Sequence, residues 1–139
     1  MPDDSPRATI ERLVAATNAH DLERLVACFS SDYRLEAPAH PQRSFSGTEQ
    51  VRRNWAGIFG GVPDIATRLV SSAVDGDAVW TELEMTGTRR DGAKHWMRGV
   101  FVFQVDSGQI RAGRMFLEPV EEAGGGMDAA VDARVGGRP

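Results

Sequence analysis

Three side chains in the second half of the chain, His95, Arg114 and Glu118, are of types that together could act on a carbonyl compound. A buried arginine would offer a permanent positive charge to a developing enolate or carboxylate. A glutamate near the mouth of a pocket would take or return a proton, and a neighbouring histidine would tune it or relay that proton. These roles require all three side chains to lie on one face of one sheet.

The segment from Asp77 to Pro119 predicts the sheet that would hold them. It has the pattern of three antiparallel strands with tight turns at Arg90–Gly92 and Asp106–Gly108. A three-residue first loop predicts these pairs: Val79 with Phe103, Trp80 with Val102, Thr81 with Phe101, Leu83 with Gly99, Glu84 with Arg98, and Met85 with Met97. The opposite charges of Glu84 and Arg98 favour this register.

The second turn allows two registers for the last strand. A loop of two or four residues predicts these pairs: Ile110 with Val105, Ala112 with Phe103, Arg114 with Phe101, Phe116 with Gly99, and Glu118 with Met97. A loop of three residues would instead turn Met115 and Leu117 to that face and expel Arg114 and Glu118. We predict the first register, because it lets the Phe116 ring cover a glycine in the neighbouring strand.

Each candidate residue also has a structural interpretation. Glu118 could be an exposed carboxylate at the pocket rim, Arg114 a surface residue in the other register, and His95 a surface histidine near a hairpin. His20 and His40 fall at a helix junction and in a proline-flanked loop, where capping and turn roles are expected. No carboxylates accompany the histidines at ligand spacing, so we expect neither a metal nor another cofactor.

The first half of the chain predicts three helices and a strand. Ser5 before Pro6 starts the first helix and Asp21 caps the second, while a third helix begins near Thr48 and stops at Gly60. The alternation of residues 33–37 predicts a short edge strand before Pro38 and Pro41 interrupt it. Helices of this kind can cover only one face of the later sheet, which indicates an α+β fold.

Size and charge narrow the possible partners. The chain has 139 residues, of which 41% are hydrophobic, with a net charge of −4. It is long enough for a single packed domain, predicted over residues 1–122, and it has no basic stripe for nucleic acid. The segment 123–139 is predicted to be a flexible glycine-rich tail, apart from one helical turn near residues 128–135. The single Cys28 and the lack of any long apolar run predict no membrane partner and a cytoplasmic location.

Three stretches resemble the nuclear transport factor 2-like superfamily, in its ketosteroid isomerase and SnoaL-like polyketide cyclase branch. They are NAHDLERLVACFSSDYRLEAP, FSGTEQVRRNWAGIF and the closing GRMFLEP, and together they span nearly everything from Arg7 to Pro119. The resemblance implies a cone-shaped, curved antiparallel sheet wrapped around the three N-terminal helices, a cystatin-like α+β barrel. It also implies a pocket for a small hydrophobic molecule and a homodimer that pairs the convex sheet faces.

The same resemblance excludes some activities and favours another. Ketosteroid isomerases would have two aspartates and a tyrosine where this chain has Ala37, Gly99 and Leu13, so that activity is not expected. The Asp-Arg-Asp set of limonene epoxide hydrolase is matched only by Arg98. SnoaL-like cyclases carry an acidic base in the last strand, which corresponds here to Glu118, a glutamate in place of aspartate.

The predicted function is therefore a cofactor-free, SnoaL-like cyclase or isomerase that transfers protons on a carbonyl or polyketide-type substrate. The alternative is a non-catalytic ligand-binding or interaction module of the same fold, because this fold carries both. The predicted pocket wall consists of Tyr33, Leu35, Trp55, Phe59, Met97, Gly99, Phe101 and Phe116. Tyr33 could donate its hydroxyl group into the pocket or be an ordinary core tyrosine.

The opposite face of the sheet is predicted to be the dimer interface. It would carry the apolar residues Trp80, Trp96, Val100, Val102, Met115 and Leu117, with Glu82, Glu84 and Arg98 among them. Exposed apolar area of this kind usually marks a subunit contact.

Overall fold

A computed structural model describes residues 3–137 and shows an α+β fold. Its elements are α1 (Pro6–Asn18), α2 (Leu22–Ala27), β1 (Phe29–Glu36), a short 3-10 helix (Pro41–Arg43), β2 (Phe45–Ser46), α3 (Thr48–Gly61), β3 (Ala66–Asp75), β4 (Ala78–Thr88), β5 (Lys94–Asp106), β6 (Gln109–Pro119) and α4 (Met127–Val135). The predicted order of two helices, a strand, a third helix and then the remaining strands is confirmed, with the two-residue strand β2 added before α3.

The helices begin where the sequence predicts. The Ser5 side chain accepts a hydrogen bond from the backbone N–H of Ala8 at 3.2 Å, and Asp21 accepts one from Arg24 at 3.1 Å. These contacts satisfy N–H groups that have no partner within the first helical turn. Helix α3 follows Gly47, whose φ of 91° suits glycine.

The six strands form one mixed sheet in the order β2-β1-β6-β5-β4-β3. Strand β1 runs parallel to β6, and every other neighbouring pair is antiparallel. The prediction that β1 lies at the sheet edge is wrong, because β2 pairs with its outer side. The strand also begins at Phe29. It is therefore longer than the short strand predicted from the alternation of residues 33–37.

The hairpin between β4 and β5 has the predicted register. All six predicted pairs are present, including Glu84 opposite Arg98 and Leu83 opposite Gly99. Arg89 and Ala93 close the loop through a backbone hydrogen bond of 2.8 Å, and Gly92 adopts φ 84° within it. The loop chemistry was sufficient to fix this pairing.

The hairpin between β5 and β6 departs from the predicted register after its first two pairs. The turn has two residues, Ser107 and Gly108, and the predicted pair of Val105 with Ile110 is confirmed. A β-bulge at Arg111 then adds one residue to β6, so that Ala112 lies opposite Gln104 rather than Phe103. A slip of one residue sends every later side chain to the other face of the sheet.

The bulge determines which side chains of β6 enter the interior. Met115 and Leu117 now face inwards, opposite Phe101 and Gly99, whereas Arg114, Phe116 and Glu118 face outwards. Leu117 is buried, while Arg114 and Glu118 are exposed. Burying two apolar side chains and leaving two charged ones in water is the energetically favourable choice.

The core lies between the concave face of the sheet and helices α1 to α3. Its fully buried members include Ile10 from α1, Leu25 from α2 and Ile110 from β6. Helix α4 contributes no buried residue. Both the predicted flexibility of the tail and its predicted separation from the domain stay predictions.

In the described part of the chain, no helix combines the length and the apolar character that a membrane crossing needs. The cytoplasmic location stays a prediction.

Candidate functional site

A cavity of about 240 Å³ opens between the concave sheet face and the helices. Its wall is mostly apolar, with Leu13 from α1, Trp55 from α3, and three methionines from neighbouring strands, Met85, Met97 and Met115. Six residues bring polar groups to this wall: Thr17, Tyr33, Asn54, Trp55, Thr67 and His95. The cavity is thus a largely apolar site with a few polar groups, which is the usual composition of a small-molecule pocket.

The structure brings six of the predicted site residues to this cavity. They are His95, Tyr33, Leu35, Trp55, Met97 and Phe101. Their positions follow from the alternation of β1 and β5 and from the inner face of α3, all of which the sequence pattern predicts.

Three predicted wall residues do not line the cavity. Phe59 stacks on the imidazole of His20 with ring centroids 5.1 Å apart. Phe116 is 42% exposed on the outer face because of the bulge in β6. A Cβ atom at Gly99 would overlap the backbone carbonyl oxygen of Phe116 and lie 2.8 Å from the Cα of Leu117. The glycine therefore makes room for the neighbouring strand and not for a ligand.

The predicted placement of Arg114 and Glu118 on the inner face is also wrong. Arg114 lies on the outer face, with its guanidinium carbon 5.7 Å from the centre of the Trp80 ring. Glu118 accepts a hydrogen bond of 2.8 Å from Nε2 of His40, a residue to which the sequence had assigned only a turn role. His95 is thereby separated from both of its predicted partners.

His95 is the one predicted catalytic residue that lines the cavity. It lies opposite Gly87 and is partly buried. Neither of its ring nitrogens forms a hydrogen bond or an ion pair within residues 3–137. Neither nitrogen is therefore engaged by another described residue, and no carboxylate from the described residues shares that wall.

Tyr33 stands at the β1 side of the cavity and is 2% exposed. Its ring packs edge-on against the ring of Phe29, with the two ring centroids 4.7 Å apart. Its hydroxyl oxygen lies over Gly113, where an added Cβ atom would be only 2.9 Å from that oxygen. Burial raises the pKa of Tyr33 far above its usual value, because the phenolate would be poorly solvated there. The hydroxyl group therefore stays protonated and can donate a hydrogen bond.

Thr67 is a polar residue of the cavity that the sequence analysis missed. It is 8% exposed, and its hydroxyl oxygen is buried without a hydrogen-bond partner in the described chain. Its backbone is held by Asn18, which accepts from the Thr67 N–H at 2.7 Å and donates to its carbonyl at 2.9 Å. The sequence feature that could have indicated Thr67 is its inward position in β3, midway between the apolar residues Ile65 and Leu69.

One part of the outer face of the sheet carries a row of alternating charges. Arg68, Glu84, Arg98 and Glu118 lie directly opposite one another on β3 to β6. The Trp96 indole N–H donates to Glu84 at 2.9 Å, and Arg68 bonds to the same carboxylate. The Trp96 hydrogen bond, followed by that of Arg68, holds the pKa of Glu84 below its usual value.

Across residues 3–137, no group of three or more histidine, cysteine or acidic side chains is placed to hold a metal ion.

The family of the chain follows from a match over most of its length. The profile of the SnoaL-like domain family matches residues 10–113. The chain belongs to the SnoaL-like domain family. No curated protein sequence matches it significantly.

Solved structures of other proteins resemble this SnoaL-like domain in fold. A loop-truncation variant of IdmH is 23% identical with a TM-score of 0.69, over 82% of this chain and 93% of that one. RV0760c from Mycobacterium tuberculosis, solved with estradiol-17beta-hemisuccinate, is 19% identical with a TM-score of 0.69, over 81% and 93% of the two chains. AclR from Streptomyces galilaeus is 15% identical with a TM-score of 0.71, over 94% and 91%. At these identities the similarity concerns the fold.

Proposed function

We propose that this SnoaL-like domain binds a small, mainly apolar molecule in the cavity between its sheet and helices. The observation that carries the proposal is the cavity itself, about 240 Å³ in volume with a mostly apolar wall. Pockets for drug-sized ligands usually measure roughly 300–1,000 Å³, so the ligand would be smaller, about the size of one or two fused rings. The structurally similar RV0760c was solved with estradiol-17beta-hemisuccinate, and the apolar steroid body of that compound supports a ligand with an apolar body.

A pair of substitutions on neighbouring residues of β6 tests this proposal. Met115→Trp should fill part of the cavity and weaken binding of the bicyclic hydrocarbon tetralin by at least about tenfold, measured by calorimetry. Phe116→Trp makes a similar change on the outer face and should leave tetralin binding unchanged. Thermal melting verifies that both variants fold, and Leu117→Phe is a milder filling variant. Equal tetralin affinity in the wild type and in the folded filling variants would refute the cavity as the binding site.

A second candidate function is cofactor-free proton transfer on a carbonyl compound, with His95 as the base. It is favoured by the position of His95 at the cavity with both ring nitrogens unpaired within the described residues. An imidazole can exchange protons near neutral pH. The predicted contributions of Arg114 and Glu118 are not part of this proposal, because both side chains lie outside the cavity.

Hydrogen–deuterium exchange at the carbon next to a ketone tests this chemistry directly. In D₂O, the protein should accelerate loss of the C2 proton signal of 1-tetralone above the buffer rate, and His95→Gln should abolish the acceleration while retaining 1-tetralone binding. His40→Gln is the matched control, because that histidine bonds to Glu118 outside the cavity. Binding of 1-tetralone without accelerated exchange would favour the non-catalytic ligand-binding module.

A further inference from the structure

Thr67 differs from the other buried threonines described in this chain. The hydroxyls of Thr9, Thr17 and Thr81 each donate to a backbone carbonyl, at 3.0, 2.7 and 2.8 Å respectively. The hydroxyl oxygen of Thr67 is also buried, but it has no hydrogen-bond partner within residues 3–137. Buried polar groups are nearly always hydrogen-bonded in folded proteins, so an unpaired one needs an explanation.

The surroundings of Thr67 explain why the chain itself cannot supply that partner. Asn18 occupies both the N–H and the carbonyl of Thr67 and thereby fixes this part of β3 against α1. The side chain then points from the concave sheet face into the cavity, opposite Met85. The thioether side chain of Met85 offers no oxygen or nitrogen acceptor. A molecule in the cavity is therefore the available partner.

The side chains of the cavity wall indicate which chemical groups that molecule can carry. No arginine, lysine or carboxylate among the described residues lines the cavity. An anionic head group would lose its hydration without gaining a counter-charge, which is unfavourable. A neutral carbonyl or hydroxyl oxygen, in contrast, could accept from Thr67 without bringing a charge into the apolar site.

We infer that Thr67 is a specificity-determining residue that donates a hydrogen bond to a neutral carbonyl or hydroxyl oxygen on an otherwise apolar ligand. The inference rests on the proposed function, since it requires a ligand in this cavity. It places the ligand oxygen at β3. Met97 on β5 is level with Thr67, because both lie opposite Met85. His95 is the inward residue that precedes Met97 on β5, two strands away from Thr67.

A pair of bicyclic probes separates the contribution of a ligand oxygen to binding from the contribution of the apolar rings. 1-Tetralone carries a ketone that tetralin lacks, and the two are otherwise closely similar in shape. Thr67→Val removes the hydroxyl while keeping the branched shape of the side chain, and Thr67→Ser keeps the hydroxyl. Thr81→Val is the matched control, because Thr81 is a buried threonine of the same sheet that does not line the cavity and whose hydroxyl donates to the Phe101 carbonyl.

Thr67→Val should weaken 1-tetralone binding by about tenfold and change tetralin binding by less than about twofold. Thr67→Ser should keep most of the preference of the wild type for the ketone. Thr67→Val should melt at or above the wild-type temperature, since no protein hydrogen bond is lost, whereas Thr81→Val should melt lower and retain the ligand preference.

The possible failures are distinguishable. If the wild type binds both probes and Thr67→Val leaves their affinity ratio unchanged, the role of Thr67 is refuted while the cavity proposal stands. If the wild type binds neither probe up to their solubility limits, the cavity proposal itself fails, and the inference fails with it. A lower melting temperature for Thr67→Val would show that the hydroxyl has a structural partner, which would also overturn the inference.

Discussion

Tyr33 is the only tyrosine of the chain, so its ionisation can be followed without interference from another phenol. In the folded protein its absorbance at 295 nm should begin to rise well above the ordinary tyrosine pKa of about 10, because burial disfavours the phenolate. In urea the same chain should titrate near that ordinary value. Titration at about pH 10 in both states would contradict the burial of the hydroxyl.

The raised pKa of Tyr33 also sets the direction of the stability change with pH. The folded state holds the phenol proton more tightly than the unfolded state, so this stability is fully present below the unfolded pKa of about 10. It is lost as the pH rises towards the folded pKa. Tyr33→Phe should therefore flatten the alkaline fall in the free energy of unfolding, measured by urea titration. Burial also raises the pKa of the Cys28 thiol, so part of the fall should remain.

For individual residues, the sequence predicted which side chains of a strand point inwards but not which hydrogen bonds they form. His95, Tyr33 and Met97 were placed correctly because they follow the alternation of their own strands. Arg114 and Glu118 were misplaced because their direction depends on a bulge at another residue. The unpaired hydroxyl of Thr67 depends on which acceptors happen to surround it in three dimensions, and no local pattern reports that.

Among the secondary-structure elements, the two hairpins show where turn residues are sufficient to predict the strand register and where they are not. The glycine at position 92 defined the β4–β5 loop and hence the whole register of that hairpin. The sequence also allowed the two-residue β5–β6 turn that the structure shows. The bulge at Arg111 nevertheless changed the strand pairing beyond that turn. Packing of Met115 and Leu117 into the interior favours the extra residue, and that is a tertiary effect.

Helix α4 is the element whose contribution to folding can be tested by removal. We propose that residues 123–139 lie outside the folded domain, because α4 buries no residue and Met127, Val131 and Val135 are all exposed. Ending the chain before Gly124 should shift the melting temperature by no more than a few degrees. Ending it before Leu117, which belongs to the core, should prevent folding. A large fall in melting temperature with the first truncation would show that the tail packs against the domain.

For the whole molecule, we propose that two copies associate through the outer face of the sheet. Trp80 and Phe116 are 46% and 42% exposed there, and they flank Val100 and Val102 in adjacent rows of β5. Exposed aromatic area on this scale favours a symmetric, self-complementary contact. The prediction that Met115 and Leu117 belong to this interface is wrong, because both line the cavity.

Light scattering coupled to size-exclusion chromatography tests the dimer. The wild type should have twice the mass of one chain at micromolar concentration, and Trp80→Glu or Phe116→Glu should halve that mass by placing a charge in the contact. Val131→Glu, an equally drastic change at an exposed residue of α4, should leave the mass unaltered. A monomeric wild type, or dimers that persist in both aromatic variants, would refute this interface.

The three methionines of the cavity wall have a consequence for how rigid the pocket is. Met85 and Met97 face each other across β4 and β5, and Met115 lies on the next strand. Unbranched thioether side chains change rotamer easily and adapt to irregular outlines, so the wall can fit ligands of differing contour without moving the sheet. The same sulfur atoms are sensitive to oxidation, and a sulfoxide would place a strong dipole in the apolar wall. If the cavity binds an apolar molecule as proposed, oxidation of these methionines should therefore weaken that binding.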